Sequence, residues 1–365
     1  MLKIGIVGLP NVGKSTLFNA LTKADVLVAN YPFATIDPSV GIVPVPDERL
    51  AALAKLSQSE KTIPAVIEFV DIAGLVKGAS EGEGLGNQFL SHIREVDAIL
   101  EMVRFFDDPD ITHVHGDVDP VRDIEVINLE LILADREAVS GRLERLGRDV
   151  RAGLKEAVAE EAALKKVEQA LSAGKLAIAA GLSPEELKAV KAMNLLTLKP
   201  ILYCFNGKSG GHNIDEANDG RADAAKAYIE SLGSRYVQVD ANTERELNDV
   251  SEDDKPAFRQ ELGVQADGLA DLIHGAYDTL GLISFYTTGP KESRAWTVRK
   301  GASAPEAGAA IHTDFKDKFI RAEVVAASDL LAAGSYAAAR EAAKVRTEGK
   351  DYAVKDGDVM VFLHS

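Results

Sequence analysis

The sequence predicts an α/β fold in which a mostly parallel sheet carries a helical insertion and is followed by a smaller α+β module. Short apolar or β-branched runs, typical of strands, occur at 2–7, 66–70, 98–104, 200–205 and 236–239, and helical patterns separate them. Residues 128–196 are rich in Ala, Leu, Glu, Lys and Arg and contain almost no strand signal. Strand-like runs resume after residue 281. We therefore predict a discontinuous first domain at 1–127 and 197–280, an insertion at 128–196 and a third domain at 281–365.

A phosphate-binding motif follows the first strand. Residues 8–15 read Gly-Leu-Pro-Asn-Val-Gly-Lys-Ser and match the P-loop pattern G-x-x-x-x-G-K-[ST]. In this pattern backbone N–H groups wrap a phosphate, Lys14 reaches the terminal phosphates, and the Ser15 hydroxyl holds Mg²⁺. The N-terminus of the helix that follows points at the anion, which favours its binding. The sequence thus predicts a nucleoside triphosphate site that includes Asn11, Val12, Gly13, Lys14, Ser15 and Thr16.

Two further segments are placed to contact Mg²⁺ and the γ-phosphate. The strand at 66–70 ends in Asp71-Ile72-Ala73-Gly74, where the aspartate is predicted to hold the Mg²⁺ shell and the Gly74 N–H to meet the γ-phosphate. Thr35 lies in segment 31–38, between the P-loop and this second motif, where a first switch loop belongs. We predict that Ser15, Thr35 and Asp71 are the metal ligands.

The residue after this second motif limits the mechanism. Switch proteins of the Ras type have a glutamine there that orients the attacking water, whereas this chain has Leu75. Hydrolysis is therefore expected to be slow or to use another group. His113 or His115, in the loop after the third strand, could swing toward the γ-phosphate, and the Asn11 amide oxygen could help hold K⁺. We assign catalytic roles to Lys14, Gly74 and His113.

The insertion is predicted to be an antiparallel helical hairpin. Apolar residues recur at intervals of three and four, as in a coiled coil, at Val139, Leu143, Leu146, Val150, Leu154 and Ala157 and again at Leu164, Val167 and Leu171. Ser183 and Glu186 predict a capping box that restarts a helix at Pro184. A plain helical part of a single core is the alternative.

Base recognition is predicted from the end of the strand at 200–205. Guanine-binding proteins use Asn-Lys-x-Asp, whose aspartate accepts two guanine N–H groups, whereas this chain reads Asn206-Gly207-Lys208-Ser209. Because Ser209 offers no carboxylate, ATP is favoured over GTP. Asn206 is predicted to address the ring edge, and Ala241, after the strand at 236–239, to contact the base through its backbone.

Composition excludes several classes of protein. The net charge of −16 lacks the broad basic surface of a DNA-binding domain. The single cysteine, Cys204, excludes an internal disulfide framework, fits a reducing cytoplasm and lies in an apolar run that predicts a core position. The first strand begins within three residues of the start, which leaves no room for a signal peptide, and no run of eighteen apolar residues predicts a membrane span.

Seven stretches together resemble the YchF or Obg-like ATPase family. They are the P-loop with Asn11 and residues 31–38, 71–86, 123–128, 294–297, 311–315 and 348–352, so the resemblance covers essentially the whole chain. It implies a G-domain fold that prefers ATP, a coiled-coil insertion and a C-terminal β-grasp (TGS) domain. It also implies a cytoplasmic protein that associates with the ribosome, a hydrophobic residue in place of the glutamine, as at Leu75, and a loop histidine at His113. The family's base motif is Asn-x-x-Glu, from which Ser209 departs.

The leading hypothesis is a slow, Mg²⁺-dependent ATPase switch, with K⁺ as a possible second ion. Its expected partners are ATP and the ribosome, at the large subunit or its RNA, and neither a membrane nor sequence-specific DNA. A monomer is expected. A GTP-using switch of the same mechanism, a P-loop kinase with a lid and an acceptor pocket, and a scaffold in which bound nucleotide is structural are the alternatives. Leu75 leaves the scaffold open, because a missing water-positioning residue is also typical of an inactive relative.

Overall fold

The computed structural model describes residues 2–23, 39–72, 85–251, 253–262 and 268–364, and of residues 85–88 it describes the backbone alone. Thr35, Gly74 and Leu75 lie outside the described residues. The roles predicted for them therefore stay predictions.

Strands and helices alternate through most of the described chain. The strands are β1 (Lys3–Val7), β2 (Val40–Pro44), β3 (Lys61–Ile63), β4 (Val66–Asp71), β5 (Ala98–Arg104), β6 (Ile201–Asn206), β7 (Arg235–Val239), β8 (Leu282–Thr288), β9 (Glu292–Arg299), β10 (Phe319–Ala326), β11 (Arg346–Glu348) and β12 (Asp358–His364). The helices are α1 (Lys14–Lys23), α2 (Glu48–Ser57), α3 (Leu85–Arg94), α4 (Pro120–Arg151), α5 (Lys155–Ser172), α6 (Pro184–Val190), α7 (Ile214–Ala217), α8 (Arg221–Ser231), α9 (Ala241–Leu247), α10 (Lys255–Glu261), α11 (Gly268–Thr279), α12 (Ala304–Ile311), α13 (Thr313–Asp317), α14 (Ala327–Ala333) and α15 (Tyr336–Glu341).

The first sheet confirms the predicted parallel α/β fold. Its strand order is β2-β4-β1-β5-β6-β7, and the pairs β1/β4, β1/β5, β5/β6 and β6/β7 are all parallel. The five strands predicted for this domain are β1, β4, β5, β6 and β7. The central strands β5 and β6 are buried along their whole length, as expected of a parallel sheet covered on both faces.

The carboxyl ends of these parallel strands meet at one edge of the sheet, where ligands bind in open α/β folds. We call this the carboxyl edge. It consists of residues 8–15, 71–72, 105–116, 206–213 and 240–243, which follow β1, β4, β5, β6 and β7 in turn. Motifs that are far apart in the sequence are thus brought to one side of the fold.

The inserted residues form the predicted antiparallel hairpin of α4 and α5. Arg142 of α4 donates two hydrogen bonds to the carboxylate of Glu160 of α5, each 2.7 Å long. Val139, Leu146, Leu164 and Val167 are fully or almost fully buried. The predicted capping box at Ser183 and Glu186 is also present.

One detail of the hairpin prediction was wrong. The apolar repeat was extended through Leu154, but α4 ends at Arg151 and the chain turns at Gly153, whose φ is 73°. Leu154 is therefore at the tip of the hairpin and is 54% exposed. The spacing of Leu154 matches the helical repeat. The helix nevertheless ends before Leu154, because the turn at Gly153 needs a positive φ.

A second, mixed sheet follows the order β11-β10-β12-β8-β9-β3. β8 pairs with β9 and β10 with β12 in antiparallel fashion, whereas β12 runs parallel to β8 and β3 parallel to β9. The strand-like runs expected after residue 281 are present, among them β8, β9 and β12. Their core is built from Phe285, Val298, Val324 and Met360, among others.

Polar side chains join residues 42–67 to this second sheet. We call them the polar seam, which consists of Asp47, Arg49, Ser59, Tyr286, Thr288, Ser293 and Asp356. Arg49 donates two hydrogen bonds of 3.0 Å to Asp47 and one of 2.6 Å to Asp356, and the Tyr286 hydroxyl also donates to Asp47. The Ser59 hydroxyl lies 2.8 Å from that of Ser293. Four charged or aromatic groups thus share one hydrogen-bonded network, in which Arg49 and Asp356 are partly exposed.

The chain divides into two compact units that differ from the predicted domains. Unit 1 consists of Met1–Gly41 and Glu68–Gly275, and unit 2 of Ile42–Ile67 and Ala276–Ser365. Residues 42–67 were assigned to the first domain because they lie between its strands in the sequence. The structure instead places α2 and β3 in unit 2, because β3 pairs with β9 and α2 carries part of the polar seam.

Two further expectations concern the core and the membrane. Cys204 is fully buried, and this burial raises the pKa of its thiol to about 12. It therefore lies in the core, as predicted. Among the described residues, no helix combines the length and the apolar character needed to cross a bilayer.

Candidate nucleotide site

The P-loop begins at Gly8, directly after β1, and α1 begins within it at Lys14. The Lys14 amine donates to the carbonyl oxygens of Gly8 and Leu9, at 3.1 and 2.8 Å, and so closes the loop on itself. Burial lowers the pKa of Lys14 to about 8, although the charge of Asp71 opposes this shift. The lysine is thus nearly buried and donates to backbone oxygens, and it keeps its charge at neutral pH with a smaller margin than an exposed lysine.

The conformation of the P-loop depends on two residues with positive φ. Gly13 has a φ of 102°, and a Cβ there would lie 2.5 Å from the Asn206 amide nitrogen. Glycine is therefore required at this position. Asn11 has a φ of 63°, which asparagine tolerates better than most residues. Val12 is buried, Thr16 is half-buried in the first turn of α1, and Leu17, Phe18 and Leu21 face the core as predicted.

Two of the three predicted metal ligands, Ser15 and Asp71, lie together. The Ser15 hydroxyl donates to Asp71 Oδ2 at 3.1 Å, which joins the start of α1 to the end of β4. Burial raises the pKa of Asp71, while the Ser15 hydrogen bond and the Lys14 charge oppose that shift. A hydroxyl and a carboxylate are oxygen ligands that suit Mg²⁺. No group of three His, Cys, Asp or Glu side chains fit for a metal occurs in the described part of the chain.

The loop after β5 holds His113 away from solvent. His113 is 6% exposed, and its Nε2 lies 2.8 Å from Asp123 Oδ2 of α4. Its Nδ1 accepts a hydrogen bond from the His115 N–H at 3.2 Å. The residue next to it, Thr112, accepts a hydrogen bond of 3.3 Å from the side chain of Asn11 in the P-loop. His113 is therefore near the P-loop through its neighbour, but its own nitrogens are engaged elsewhere.

Asn206 joins two parts of the carboxyl edge. Its amide nitrogen donates to the Val12 carbonyl at 2.9 Å, and its amide oxygen accepts from the Ala241 N–H at 3.1 Å. The structure thus brings Asn206, Ala241 and the P-loop together, as the sequence predicted. Both the nitrogen and the oxygen of the Asn206 amide are used in these hydrogen bonds. The side chain therefore links the end of β6 to α9 and to the P-loop.

The two carboxylates near Ser209 are occupied by hydrogen bonds from the protein itself. Asp240 accepts from the Ser209 N–H at 2.6 Å and from the Thr243 hydroxyl at 2.7 Å. Burial would raise the pKa of Asp240, but these bonds hold it below its ordinary value. Asp108 forms a 2.6 Å ion pair with Lys208. Because these carboxylates already have donors, neither is free to accept the paired N–H groups of guanine.

No role was predicted for Asp123, Asp240 or Arg104, whose side chains lie at the carboxyl edge or next to it. The Arg104 side chain is 1% exposed and donates to the carbonyls of Phe106, Asp108 and Ile111, which fixes the first half of the loop. A lone arginine at the end of an apolar strand was the available signal, because burial there demands partners.

Two family models match parts of the chain. Residues 3–134 match a model described as a 50S ribosome-binding GTPase, and residues 282–365 match the YchF-GTPase C-terminal model, whose family is described as a protein of unknown function. Together they cover the first part of the parallel sheet and nearly all of the second sheet.

Full-length relatives give the same result. The chain is 51% identical to the ribosome-binding ATPase YchF of Bacillus subtilis over 361 residues, which covers 99% of this chain and 98% of the relative. It is 47% identical to the ribosome-binding ATPase YchF of Escherichia coli O157:H7 with the same coverage. Among solved structures, the YchF GTPase of Schizosaccharomyces pombe matches with a TM-score of 0.87 and 39% identity, over 99% of this chain and 97% of that one.

Proposed function

The chain belongs to the YchF family, and from this premise we propose that it is a Mg²⁺-dependent switch that hydrolyses ATP slowly to ADP and phosphate and couples its nucleotide state to ribosome binding. The main support for this proposal is that Lys14, Ser15 and Asp71 lie close together at the end of the P-loop. These residues supply a cation for the phosphates and two oxygen ligands for a metal.

Nucleotide binding would replace contacts that the site now makes with itself. Lys14 would exchange the Gly8 and Leu9 carbonyls for the terminal phosphates, while the backbone N–H groups of residues 11–16 surround the phosphate chain. Ser15 and Asp71 would hold Mg²⁺, together with Thr35. When bound, Mg²⁺ neutralises charge on the phosphate oxygens. The Asn11 amide oxygen would hold K⁺, which adds positive charge that a Ras-type site obtains elsewhere.

Preference for ATP follows from the lack of a free carboxylate near the base. Asp240 and Asp108 are paired within the protein, and Ser209 stands where a guanine-binding protein has an aspartate. Guanine would leave its N–H donors without an acceptor, and such a loss strongly disfavours a ligand. Adenine has no paired donors of this kind.

Slow turnover is expected because His113 has to leave Asp123 before it can orient water. The insertion at 128–196 and the module at 281–365 are proposed to carry the nucleotide state to the large ribosomal subunit or its RNA. We further propose a monomer that acts in the cytoplasm. The names of the relatives and the description of the model matched by residues 3–134 support ribosome binding.

The experiment measures binding and turnover with the same preparation. ATP and GTP are titrated with Mg²⁺ present, and phosphate release is followed with and without 50S subunits, in K⁺ and in Na⁺. We expect ATP to bind at least tenfold tighter than GTP, a difference of about 1.4 kcal/mol, and 50S subunits to raise turnover. GTP binding as tight as ATP would remove the adenine preference. Turnover that stays at background under all conditions would favour a nucleotide-binding scaffold.

A further inference from the structure

The strongest unexplained group in unit 1 is the buried pair formed by His113 and Asp123. The Asp123 side chain is 3% exposed and lies in the first turns of α4, yet of its two oxygens only Oδ2 has a hydrogen-bond donor among the described residues. The other, Oδ1, lies 3.8 Å from the Arg122 side chain. A buried carboxylate needs such a donor, so the two residues hold each other in place.

The hydrogen bonds of His113 determine its protonation. The His115 N–H can only donate, so the Nδ1 of His113 must be an acceptor without a proton. The proton of the neutral ring is then on Nε2, which donates it to Asp123. In this state neither ring nitrogen is available to bind or activate a water molecule.

The part of the loop that can move is short. Arg104 ties the carbonyls of Phe106, Asp108 and Ile111 to the end of β5, and α4 begins at Pro120. Between these anchors Gly116 has a φ of 88° with open space around it, so the backbone can change direction there. The contacts that hold residues 112–116 to the rest of unit 1 therefore include one from the P-loop, at Thr112, and one from α4, at His113.

The geometry points to Asp123 as a positioning residue that stores His113 in an inactive orientation until nucleotide draws the Asn11 side chain away from Thr112. The Asn11 hydrogen bond to Thr112 is long, at 3.3 Å, and is made by a residue whose backbone N–H is one of those proposed to surround the phosphate. Binding that re-orients Asn11 thus frees the residue next to His113. Because Asp123 belongs to α4, the helix that extends into the hairpin, the same event changes a contact at the base of the insertion. This inference rests on the proposed hydrolysis of ATP and deepens it.

The first test is Asp123→Asn in the full-length chain. Asparagine has the same size and can still accept from His113, but it loses the charge that strengthens the bond. We expect turnover without ribosomes, at saturating ATP, to rise roughly fivefold, while KM changes less than twofold. Asp135→Asn is the matched control, because Asp135 is a fully buried carboxyl of the same helix, α4, whose hydrogen bonds come from Leu196 and Thr197. It should leave turnover unchanged. Unchanged or reduced turnover in folded Asp123→Asn would overturn the inference.

The second test does not depend on hydrolysis. Nitrogen-15 NMR of labelled histidine reports which ring nitrogen carries the proton, and the His113 signal is identified by its loss in His113→Ala. We expect the Nε2–H form without nucleotide, a changed signal with Mg²⁺ and a non-hydrolysable ATP analogue, and a partly changed signal in nucleotide-free Asp123→Asn. A signal that the analogue leaves unchanged would reject the stored orientation. Full turnover in His113→Ala would instead reject the catalytic role of His113, so the two failures are distinguishable.

Discussion

The carboxyl edge of unit 1 and the polar seam of unit 2 both concentrate polar side chains, but they hold them in opposite ways. At the carboxyl edge, Lys14 bonds to backbone carbonyls, and Asn11 makes a long bond to another. In the polar seam, Arg49 forms a two-point ion pair with Asp47 and reaches Asp356 as well. The side chains of the P-loop therefore bond to neutral partners, whereas Arg49 bonds to opposite charges.

This difference distinguishes contacts that a ligand can replace, such as those of Lys14, from contacts that keep the fold together, such as those of Arg49. A lysine on carbonyl oxygens gains by moving to a phosphate, because the phosphate carries a full negative charge that the carbonyls lack. An arginine that already pairs with two carboxylates gains nothing from a new partner. Each of the following predictions would break or sharpen this contrast, from the largest expected effect to the smallest.

Replacing Lys14 should have the largest effect on nucleotide binding. Lys14→Ala removes the charge that would meet the terminal phosphates, and we expect ATP to bind several hundredfold more weakly, about 3.5 kcal/mol. Lys3→Ala is the matched control, because it removes a lysine from the other end of β1, where it pairs with Glu68. Calorimetric titration measures both. A similar loss in the two variants would show that net charge, and not position, governs affinity.

Cutting the polar seam should destabilise unit 2 without affecting ATP. Asp47→Ala removes the N-cap of α2 and leaves Arg49 and the Tyr286 hydroxyl without their shared acceptor. We expect a loss of about 2–3 kcal/mol in the unfolding of unit 2. Ser335→Ala, which removes only the N-cap of α15 in the same unit, should cost about 1 kcal/mol. Denaturant unfolding gives both values, and equal losses would mean that the seam adds nothing beyond capping.

ATP affinity should fall at alkaline pH. Burial lowers the pKa of Lys14 to about 8, so the free protein loses this proton as pH rises through 8. Bound phosphates favour the charged lysine and raise its pKa in the complex. The affinity for ATP is therefore highest below pH 8 and decreases as the pH rises above 8. Between pH 7 and 9 we expect about a tenfold loss, which follows from the one proton that binding must then take up. A flat profile over this range would place the lysine pKa well above 8.

A carboxylate at Ser209 should admit guanine. Ser209→Asp supplies an acceptor that Asp240 and Asp108 cannot, because both are already paired. We expect the ratio of GTP to ATP affinity to rise about fivefold, near 1 kcal/mol. Ser209→Asn, of the same size without charge, should leave the ratio within twofold. If both variants give the same ratio of GTP to ATP affinity, the residue at position 209 does not distinguish guanine from adenine.

Sequence alone gave the strands of the first sheet and the P-loop because both depend on local patterns. The runs of β1, β4, β5, β6 and β7 are short and rich in apolar or β-branched residues, and the motif at residues 8–15 is fixed by spacing. The place of β3 could not be predicted, because its partner β9 lies far along the chain and no local pattern records that pairing. Likewise the end of β6 predicted a polar role for Asn206, but its hydrogen bonds to Val12 and Ala241 could not be predicted, because only the fold brings those residues near.

The position of residues 42–67 also has a consequence for how the protein is made. Ser59 and Gly289, which share a hydrogen bond, are 230 residues apart. During synthesis, α2 and β3 leave the ribosome long before the strands that cover them. Leu50 and Leu53, which are buried in the folded protein, therefore stay exposed until those strands are made. Unit 2 can close only when the C-terminal residues have emerged. A fragment that starts at residue 281 would lack an edge strand and a helix of its own fold.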